Sequence, residues 1–239
     1  SAFDRVSLFQ LGFINGTPAC AAIDEDEVER RRGDLPTTLR VDASGNPETG
    51  EVGINEETLS TLMELMGKIF SPKNPPTLSY QPAGCPDAKP SPPAAYCPAT
   101  NTIVVDLPAL ARMGKVASAA EHSLPQGDDT SLSIVMSRYA LAVQHERGLP
   151  MQSPWTALRT ACLTGVAHRK MAVPIDLPSG QQLVLTAGDL DEAVSGLLTN
   201  RMVASDADGV SVPAGFTRIA AFRAGVGGDM DACYARYPG

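Results

Sequence analysis

The sequence has few basic residues and only three histidines, and it lacks the long apolar run of a membrane-spanning helix. Its 239 residues include 19 lysines and arginines against 27 acidic side chains, which gives a formal net charge of −8. This balance argues against a nucleic-acid-binding surface, because such a surface needs clustered cations to displace counterions. No stretch approaches the roughly eighteen apolar residues that span a bilayer, so no transmembrane segment is expected. The length and the 43% hydrophobic content predict one large globular domain with additional segments.

Several motifs of catalysis and metal binding are also absent. The five cysteines form no Cys-x-x-Cys pair, which argues against zinc-ribbon and thioredoxin-like proteins. Neither a glycine-rich phosphate loop nor a Gly-x-Ser-x-Gly elbow occurs. Cys85 and Cys97 bracket a proline-rich stretch that a crosslink would hold together. Disulfides are therefore the favoured interpretation of the cysteines, and an oxidising, extracytoplasmic compartment is expected.

The two ends of the chain contain the same pattern of residues. At a constant offset of 213 positions (216 minus 3, for example), six residues near the start recur near the end: Phe3, Arg5, Phe9, Gly12, Ala19 and Cys20 correspond to Phe216, Arg218, Phe222, Gly225, Ala232 and Cys233. One spacing held throughout residues 3–20 indicates a duplicated element. The second copy closes its domain. We therefore expect residues 1–22 to be the C-terminal element of a preceding domain, in a protein with two tandem halves.

Hydrophobic periodicity and capping residues predict the remaining elements. Residues 24–32 are predicted to form a short acidic-to-basic helix, residues 23–54 form that helix and a linker, and residues 55–239 form the main domain. Within that domain the predicted helices are 55–70, 129–147, 153–171, 189–202 and 216–226, the predicted strands are 77–80 and 102–105, and residues 174–186 are predicted to form a hairpin. Strands followed by helices predict an α+β fold.

A His-Glu pair lies near the end of the predicted helix 129–147. His145 and Glu146 match the first two residues of the zinc-peptidase motif His-Glu-x-x-His. In that motif two histidines one helical turn apart bind the metal ion, and the glutamate is the general base. Leu149 occupies the position of the second histidine.

The sequence around this pair resembles the neutral zinc metallopeptidases of bacteria, and most closely the tandem metallopeptidase-like lipoproteins exported by mycobacteria. The resemblance extends from about residue 75 to the end of the chain. It rests on a Tyr-Cys-Pro segment before a strand, on the His-Glu helix and on a cysteine-containing helix that follows: Tyr96, Cys97, Pro98, Asp106, His145, Glu146, Gly148, Gln152, Cys162 and Gly165. Thr100 departs from the family pattern, which has an aspartate there.

The resemblance implies a zincin-like scaffold that has lost its zinc site. Leu149 replaces the second histidine ligand, and Ala157 and Ala161 occupy the acidic positions of the next helix. Catalytic zinc needs three protein ligands and a water molecule. Only His145 remains as a ligand and Glu146 as a vestigial base, so this chain is expected to be inactive and to hold no cofactor. The resemblance implies that zinc belongs to the other domain of the parent peptidase.

The favoured hypothesis is a pseudopeptidase domain that supports the N-terminal catalytic domain of the same protein or binds a peptide or protein. Two alternatives stay open. One is a working zinc peptidase with displaced ligands, which would add His122 and His168 to His145; both are otherwise expected at the surface. The other is a structural spacer. The resemblance further implies a cell-envelope location with a lipid anchor at the N terminus of the parent protein.

The resemblance also implies a disulfide pattern. Cys162 matches the cysteine of the family's second helix and Cys233 lies in the family's closing helical segment, so Cys162–Cys233 and Cys85–Cys97 are the predicted pairs. Cys20 is then left over. The internal repeat makes its partner the equivalent of Cys162 in the preceding domain, so Cys20 is expected to be free, disordered or joined between molecules.

Overall fold

The structure is a computed structural model that describes residues 2–32, 35–36, 38, 40–41, 44–45, 47–48, 50–82, 84–116 and 124–239. Its elements, in chain order, are α1 (Ala2–Ala21), α2 (Glu25–Arg32), β1 (Arg40–Val41), β2 (Pro47–Glu48), α3 (Glu56–Phe70), β3 (Thr77–Ser79), β4 (Ala94–Cys97), β5 (Thr102–Val105), α4 (Leu107–Met113), α5 (Asp128–Glu146), α6 (Pro154–Met171), α7 (Asp189–Leu198), α8 (Gly215–Val226) and α9 (Met230–Arg236). Helices combined with a small sheet confirm the α+β prediction. None of the helices within the described residues is long and apolar enough to cross a membrane.

Strands β3, β4 and β5 form one mixed sheet in the order β3–β5–β4. β3 is parallel to β5, with Thr77 opposite Thr102, whereas β4 is antiparallel to β5, with Ala94 opposite Val105. Sequence analysis missed β4 because alanine is a weak strand former and prolines precede it. The strand exists because it pairs with β5 and packs on α5.

Helices α5 and α6 form the centre of the domain. Every residue of α5 from Asp128 to Gln144 is buried, because the sheet, α3, α6 and α7 surround it. Helix α8 packs on α6 so closely that a Cβ atom on Gly225 would overlap the carbonyl oxygen of Cys162, and one on Gly165 would overlap that of Phe222. Glycine is therefore required on both helices at this crossing.

Two predicted elements are corrected. Residues 174–186 do not form a hairpin: Gly180 turns the chain at a φ of +74°, but Leu185 donates its N–H to the carbonyl of Met171, and Ser179 donates to Glu64 on α3. The flanks of the turn therefore bond to helices rather than to each other. Helix α7 ends at Leu198 and not at residue 202, because Arg201 adopts a left-handed φ of +66°.

Helix α1 has the internal kink that its glycine permits. Gly16 adopts a φ of +74° within the helix, a conformation that costs glycine little. The first half of α1 packs on α7 and α8, where the backbone N–H of Phe3 donates to Asp191 at 3.0 Å.

Candidate functional site

Helix α5 ends between His145 and Leu149, the two positions that matter for a zinc motif. The N–H of Gly148 donates to the carbonyl of His145 at 2.8 Å, and the N–H of Leu149 donates to that of Gln144 at 3.3 Å. With Gly148 at a φ of +69°, these bonds form a Schellman motif, which terminates a helix. Leu149 is therefore not one turn further along the same helix, and a histidine there would not share a helical face with His145.

Glu146 has a structural role in this fold. It is exposed, and its Oε1 accepts the backbone N–H groups of Lys73 at 2.7 Å and Asn74 at 3.3 Å. These bonds connect the end of α5 to the loop that follows α3.

His145 is oriented by a hydrogen-bond chain from the sheet. The Tyr96 hydroxyl lies 2.9 Å from Asn101 Oδ1 and 3.0 Å from His145 Nδ1. Asn101 uses its amide nitrogen on the carbonyls of Asn74 and Pro75, so its Oδ1 accepts the tyrosine proton. The tyrosine oxygen then accepts a hydrogen bond from Nδ1–H, so Nε2 is the ring nitrogen that could offer a lone pair to a metal ion.

Helix α6 has alanines at the two positions where the resemblance expects acidic ligands. Ala157 and Ala161, and Arg159 between them in sequence, are all fully buried. Arg159 Nε donates to Oε1 of Gln144 on α5 at 2.9 Å, and its Nη1 donates to the carbonyls of Tyr237 and Gly239. Burial lowers the pKa of Arg159, yet a guanidinium remains protonated in proteins. The charged side chain of this segment therefore joins α6 to α5 and to the last residues of the chain.

The residues present do not fit a zinc ion at His145. The site offers one imidazole nitrogen, and within the described residues no group of three closely spaced metal-ligand atoms includes it. The two α6 positions where the resemblance expects acidic ligands supply only methyl groups, whereas zinc requires nitrogen, thiolate or carboxylate ligands. Cys85, Asp87 and Cys97 do lie together, but the two sulfur atoms are bonded to each other.

Both disulfides join the pairs expected from the sequence. The structure links Cys85 to Cys97 with an S–S distance of 2.10 Å, and Cys162 to Cys233 with one of 2.00 Å. The first holds the end of β4 to the proline-rich loop, and the second joins α6 to α9. Cys20 is free and exposed.

His168 is a buried residue and not the surface residue that the sequence suggested. It is fully buried, with Nδ1 2.8 Å from the carbonyl of Thr164 and Nε2 3.0 Å from Asp129 Oδ2. A carbonyl and a carboxylate both accept hydrogen bonds. Both ring nitrogens therefore donate, and His168 is an imidazolium. Burial lowers its pKa, but the charge of Asp129 and the hydrogen bonds outweigh that effect and raise it overall. His122 lies outside the described residues.

The Asp129–His168 pair has a signal in the sequence. Helices α5 and α6 are consecutive and joined by a short loop, so they pack antiparallel. The first turn of α5 then lies beside the last turn of α6, which places Asp129 near His168. The two helix boundaries therefore indicate that the helix ends with Asp129 and His168 lie close together, whereas the burial of the pair depends on the complete fold.

Carboxylates crowd around the start of α5. Oxygen atoms of Glu51, Asp128 and Glu192 lie within 4.8 Å of one another. Glu51 accepts the N–H of Asp128 at 3.1 Å, and Glu192 accepts that of Asp129 at 3.0 Å. These are N–H groups that the first turn of a helix leaves unpaired, and negative charge there is favourable. The cluster therefore caps α5.

Burial makes these carboxyl groups hard to ionise. Desolvation, followed by the charges of neighbouring acids, raises the pKa of Glu192 and of Asp128 and raises that of Asp189 to about 6. A carboxyl group whose pKa is higher in the folded than in the unfolded state stabilises the fold fully below its unfolded pKa of about 4, and that stability is lost as pH rises through the folded value.

The free energy of unfolding is therefore expected to fall as pH rises from about 5 to 8. Replacing Glu192 with glutamine should weaken this dependence, because an amide keeps the acceptor for Asp129 N–H without ionising. The variant should match the parent near pH 4 and exceed its stability by roughly 1 to 3 kcal/mol at pH 8. Denaturant unfolding at several pH values measures this. Glu29→Gln, on the exposed surface of α2, is the control, and equal pH slopes for parent and Glu192→Gln would contradict the prediction.

Comparison with known proteins leaves the family open. No described protein family matches this chain, and no curated protein and no solved structure matches it. The resemblance to zinc metallopeptidases therefore rests on the residues and motifs quoted above.

Proposed function

We propose that this chain is a non-catalytic, metallopeptidase-like interaction domain with a zincin-like scaffold. The observation that supports the proposal is the set of residues at the positions where the resemblance expects zinc ligands. Buried alanines occupy both expected acidic positions on α6, and Leu149 lies beyond the end of α5, off the helical face of His145. Neither an alanine nor a leucine side chain can bind a metal ion.

The alternative of a zinc site with displaced ligands lacks a second histidine donor among the described residues. That hypothesis adds His122 and His168 to His145; His122 lies outside the described residues, and His168 uses both ring nitrogens as donors toward Thr164 and Asp129. An imidazolium has no lone pair for a metal ion. Among the residues that the structure describes, a peptidase mechanism built on His145 and Glu146 would therefore have one histidine ligand and a glutamate that accepts the backbone N–H groups of residues 73 and 74.

The proposal extends to the setting of the domain. Two disulfides are compatible with an extracytoplasmic chain, since such crosslinks persist in oxidising compartments. The resemblance adds a cell-envelope lipoprotein with a lipid anchor, and a catalytic N-terminal domain as the partner that this domain supports. A peptide or protein ligand is the second possible partner. A purely structural spacer would need neither of these two partners.

Zinc stoichiometry tests the non-catalytic proposal. The untagged protein, equilibrated with a modest excess of zinc and then desalted, should retain well under one zinc ion per chain by elemental mass spectrometry. The His145→Ala variant should retain the same amount, because His145 alone cannot hold zinc. A ratio near one that falls in His145→Ala, together with chelator-sensitive cleavage of a peptide library, would replace this proposal with the active-peptidase alternative.

A further inference from the structure

The duplicated element has the same architecture in both copies. At the offset of 213, Gly16 corresponds to Asp229. Gly16 kinks α1 at a φ of +74°, and Asp229 is the N-cap of α9, directly after the break that follows α8. Each copy is therefore a helix, a break and a short second helix that contains a cysteine, Cys20 or Cys233.

The two copies pack against each other reciprocally. Phe3 contacts Phe222, with ring centroids 6.4 Å apart, and Phe9 contacts Phe216 at 5.7 Å. Phe3 corresponds to Phe216 and Phe9 to Phe222. Exchanging the two copies therefore turns the Phe3–Phe222 contact into the Phe216–Phe9 contact. Such exchange is the mark of a two-fold axis, and it places a local axis between α1 and α8.

Hydrogen bonds also join the two copies. Gln10 and Arg223 are equivalent positions, and each donates to a backbone carbonyl of the opposite copy: Gln10 to Phe216, and Arg223 to Ser7, both at 3.2 Å. The two acceptors are not equivalent residues, so the reciprocal relation rests on the aromatic contacts.

The remaining faces of the two copies have opposite environments. Helices α8 and α9 pack on α6, and there Phe222 and Cys233 are fully buried and Val226 is at 4% exposure. Their equivalents on α1 are exposed: Phe9 at 60%, Phe13 at 78%, and Cys20. Within the described residues the face formed by Phe9, Gly12, Phe13 and Cys20, here called the α1 docking face, has the composition of a domain core without its cover.

We propose that the α1 docking face binds a helix equivalent to α6, supplied by a second domain of the same architecture that is related to this one by the local two-fold axis. In this domain α8 is covered by α6, which contains Cys162 and, three residues later, Gly165. The repeat assigns the same occupant to α1: a Cys-x-x-Gly helix whose glycine lies against Gly12 and whose cysteine pairs with Cys20. This inference rests on the repeat and its contacts, and it is independent of the metallopeptidase proposal.

A second copy of this chain does not supply that helix. Its own α6 is covered by its own α8, where Gly165 lies against the backbone of Phe222, and its Cys162 is already bonded to Cys233. The α1 docking face therefore binds a different domain, one whose α6-type helix is not covered until α1 packs on it. In the complex, α1 and α8 would pack against each other between the two domains, with each of them covered by an α6-type helix of a different domain.

The covalent step is an ordinary thiol oxidation. The Cys20 thiol and the partner thiol form one disulfide, and oxidised glutathione accepts the two electrons and two protons as two molecules of the reduced thiol. The apolar contact precedes this step and does not require it.

A peptide with the sequence of residues 154–171 is the probe for the missing helix. Labelled with a fluorophore, it should bind the intact protein saturably, whereas a scrambled peptide should not. Phe13→Glu should weaken binding at least tenfold, and so should a Gly165→Leu change in the peptide. Val210→Glu, which alters another exposed apolar residue, should leave binding unchanged. In a glutathione redox buffer the bound peptide should crosslink to Cys20, and Cys20→Ser should abolish the crosslink while non-covalent binding persists.

Three results would overturn the inference. Binding no stronger than that of the scrambled peptide would show that the face does not recognise an α6-type helix. A crosslink that maps to Cys233 would show that the peptide displaces α8 instead. Self-association in analytical ultracentrifugation that Phe13→Glu abolishes would assign the face to a second copy of the chain. None of these results bears on zinc binding, so the two proposals fail separately.

Discussion

Replacing Gly225 with alanine is expected to reduce the free energy of unfolding by at least about 4 kcal/mol, a loss that would leave little folded protein. A Cβ at this position would overlap the carbonyl oxygen of Cys162 and lie 2.9 Å from the nitrogen of Val166. Both are backbone atoms of α6, so no side chain can turn aside. The helices would have to separate and expose Phe222 and Ile219, which are fully buried.

Denaturant unfolding of Gly225→Ala against the parent measures this effect. Gly67→Ala is the matched control, because Gly67 lies inside α3 and its new Cβ would be 3.6 Å from the Tyr139 hydroxyl, an ordinary contact. Alanine also favours a helix over glycine by about 0.5 to 1 kcal/mol. The control should therefore be unchanged or slightly more stable. A loss for Gly225→Ala no larger than about 1 kcal/mol would mean that α6 and α8 do not pack this closely in solution.

Removing the Cys162–Cys233 disulfide should have the second-largest effect. The bond closes a loop with a sequence separation of 71 residues, against 12 for Cys85–Cys97. Restricting the unfolded chain in loops of these sizes is worth about 4 and about 3 kcal/mol respectively. The double variant Cys162→Ala/Cys233→Ala should therefore lose more stability than Cys85→Ala/Cys97→Ala. Removing two buried sulfur atoms also leaves a cavity, which lowers its stability further.

Chemical unfolding under non-reducing conditions compares the two variants. Cys20→Ser is the control, because Cys20 is free and exposed and should change stability by less than about 0.5 kcal/mol. Equal losses for the two double variants would indicate that the length of the closed loop does not set the size of the loss. A large loss in Cys20→Ser would contradict its description as a free surface residue.

Local signals in the sequence are sufficient for most of the long helices, but not for the short helices α4 and α9. Asn55 caps α3, and its Oδ1 accepts the N–H of Thr58 at 2.9 Å. Ser153, followed by a proline, caps α6, and its Oγ accepts the N–H of Thr156 at 3.0 Å. Capping depends on residues three positions apart, so it can be recognised without knowledge of the fold. The hairpin at 174–186 failed because its strands would have needed each other as partners.

The candidate site also has some features that the residue types predict and others that depend on contacts between helices. The resemblance expects zinc ligands at the positions of Leu149, Ala157 and Ala161, and the residue types alone show that neither an alkyl side chain nor a methyl group can bind a metal ion. The buried Arg159 was not predicted, although the residue is visible in the sequence. Its burial depends on α5 supplying Gln144 as an acceptor, which is a contact between two helices.

Residue types and local spacing alone were enough to predict the α+β class, most helix boundaries, the duplicated element and the absence of a complete His-Glu-x-x-His motif. Each of these depends on interactions between neighbours in the chain or on chemistry that a side chain has or lacks. The three-dimensional packing decided that His168 is a buried imidazolium, that carboxylates gather at the start of α5, and that the two copies of the repeat meet face to face. Those features join residues that are far apart in the chain, and their energies arise from burial, which only the complete fold determines.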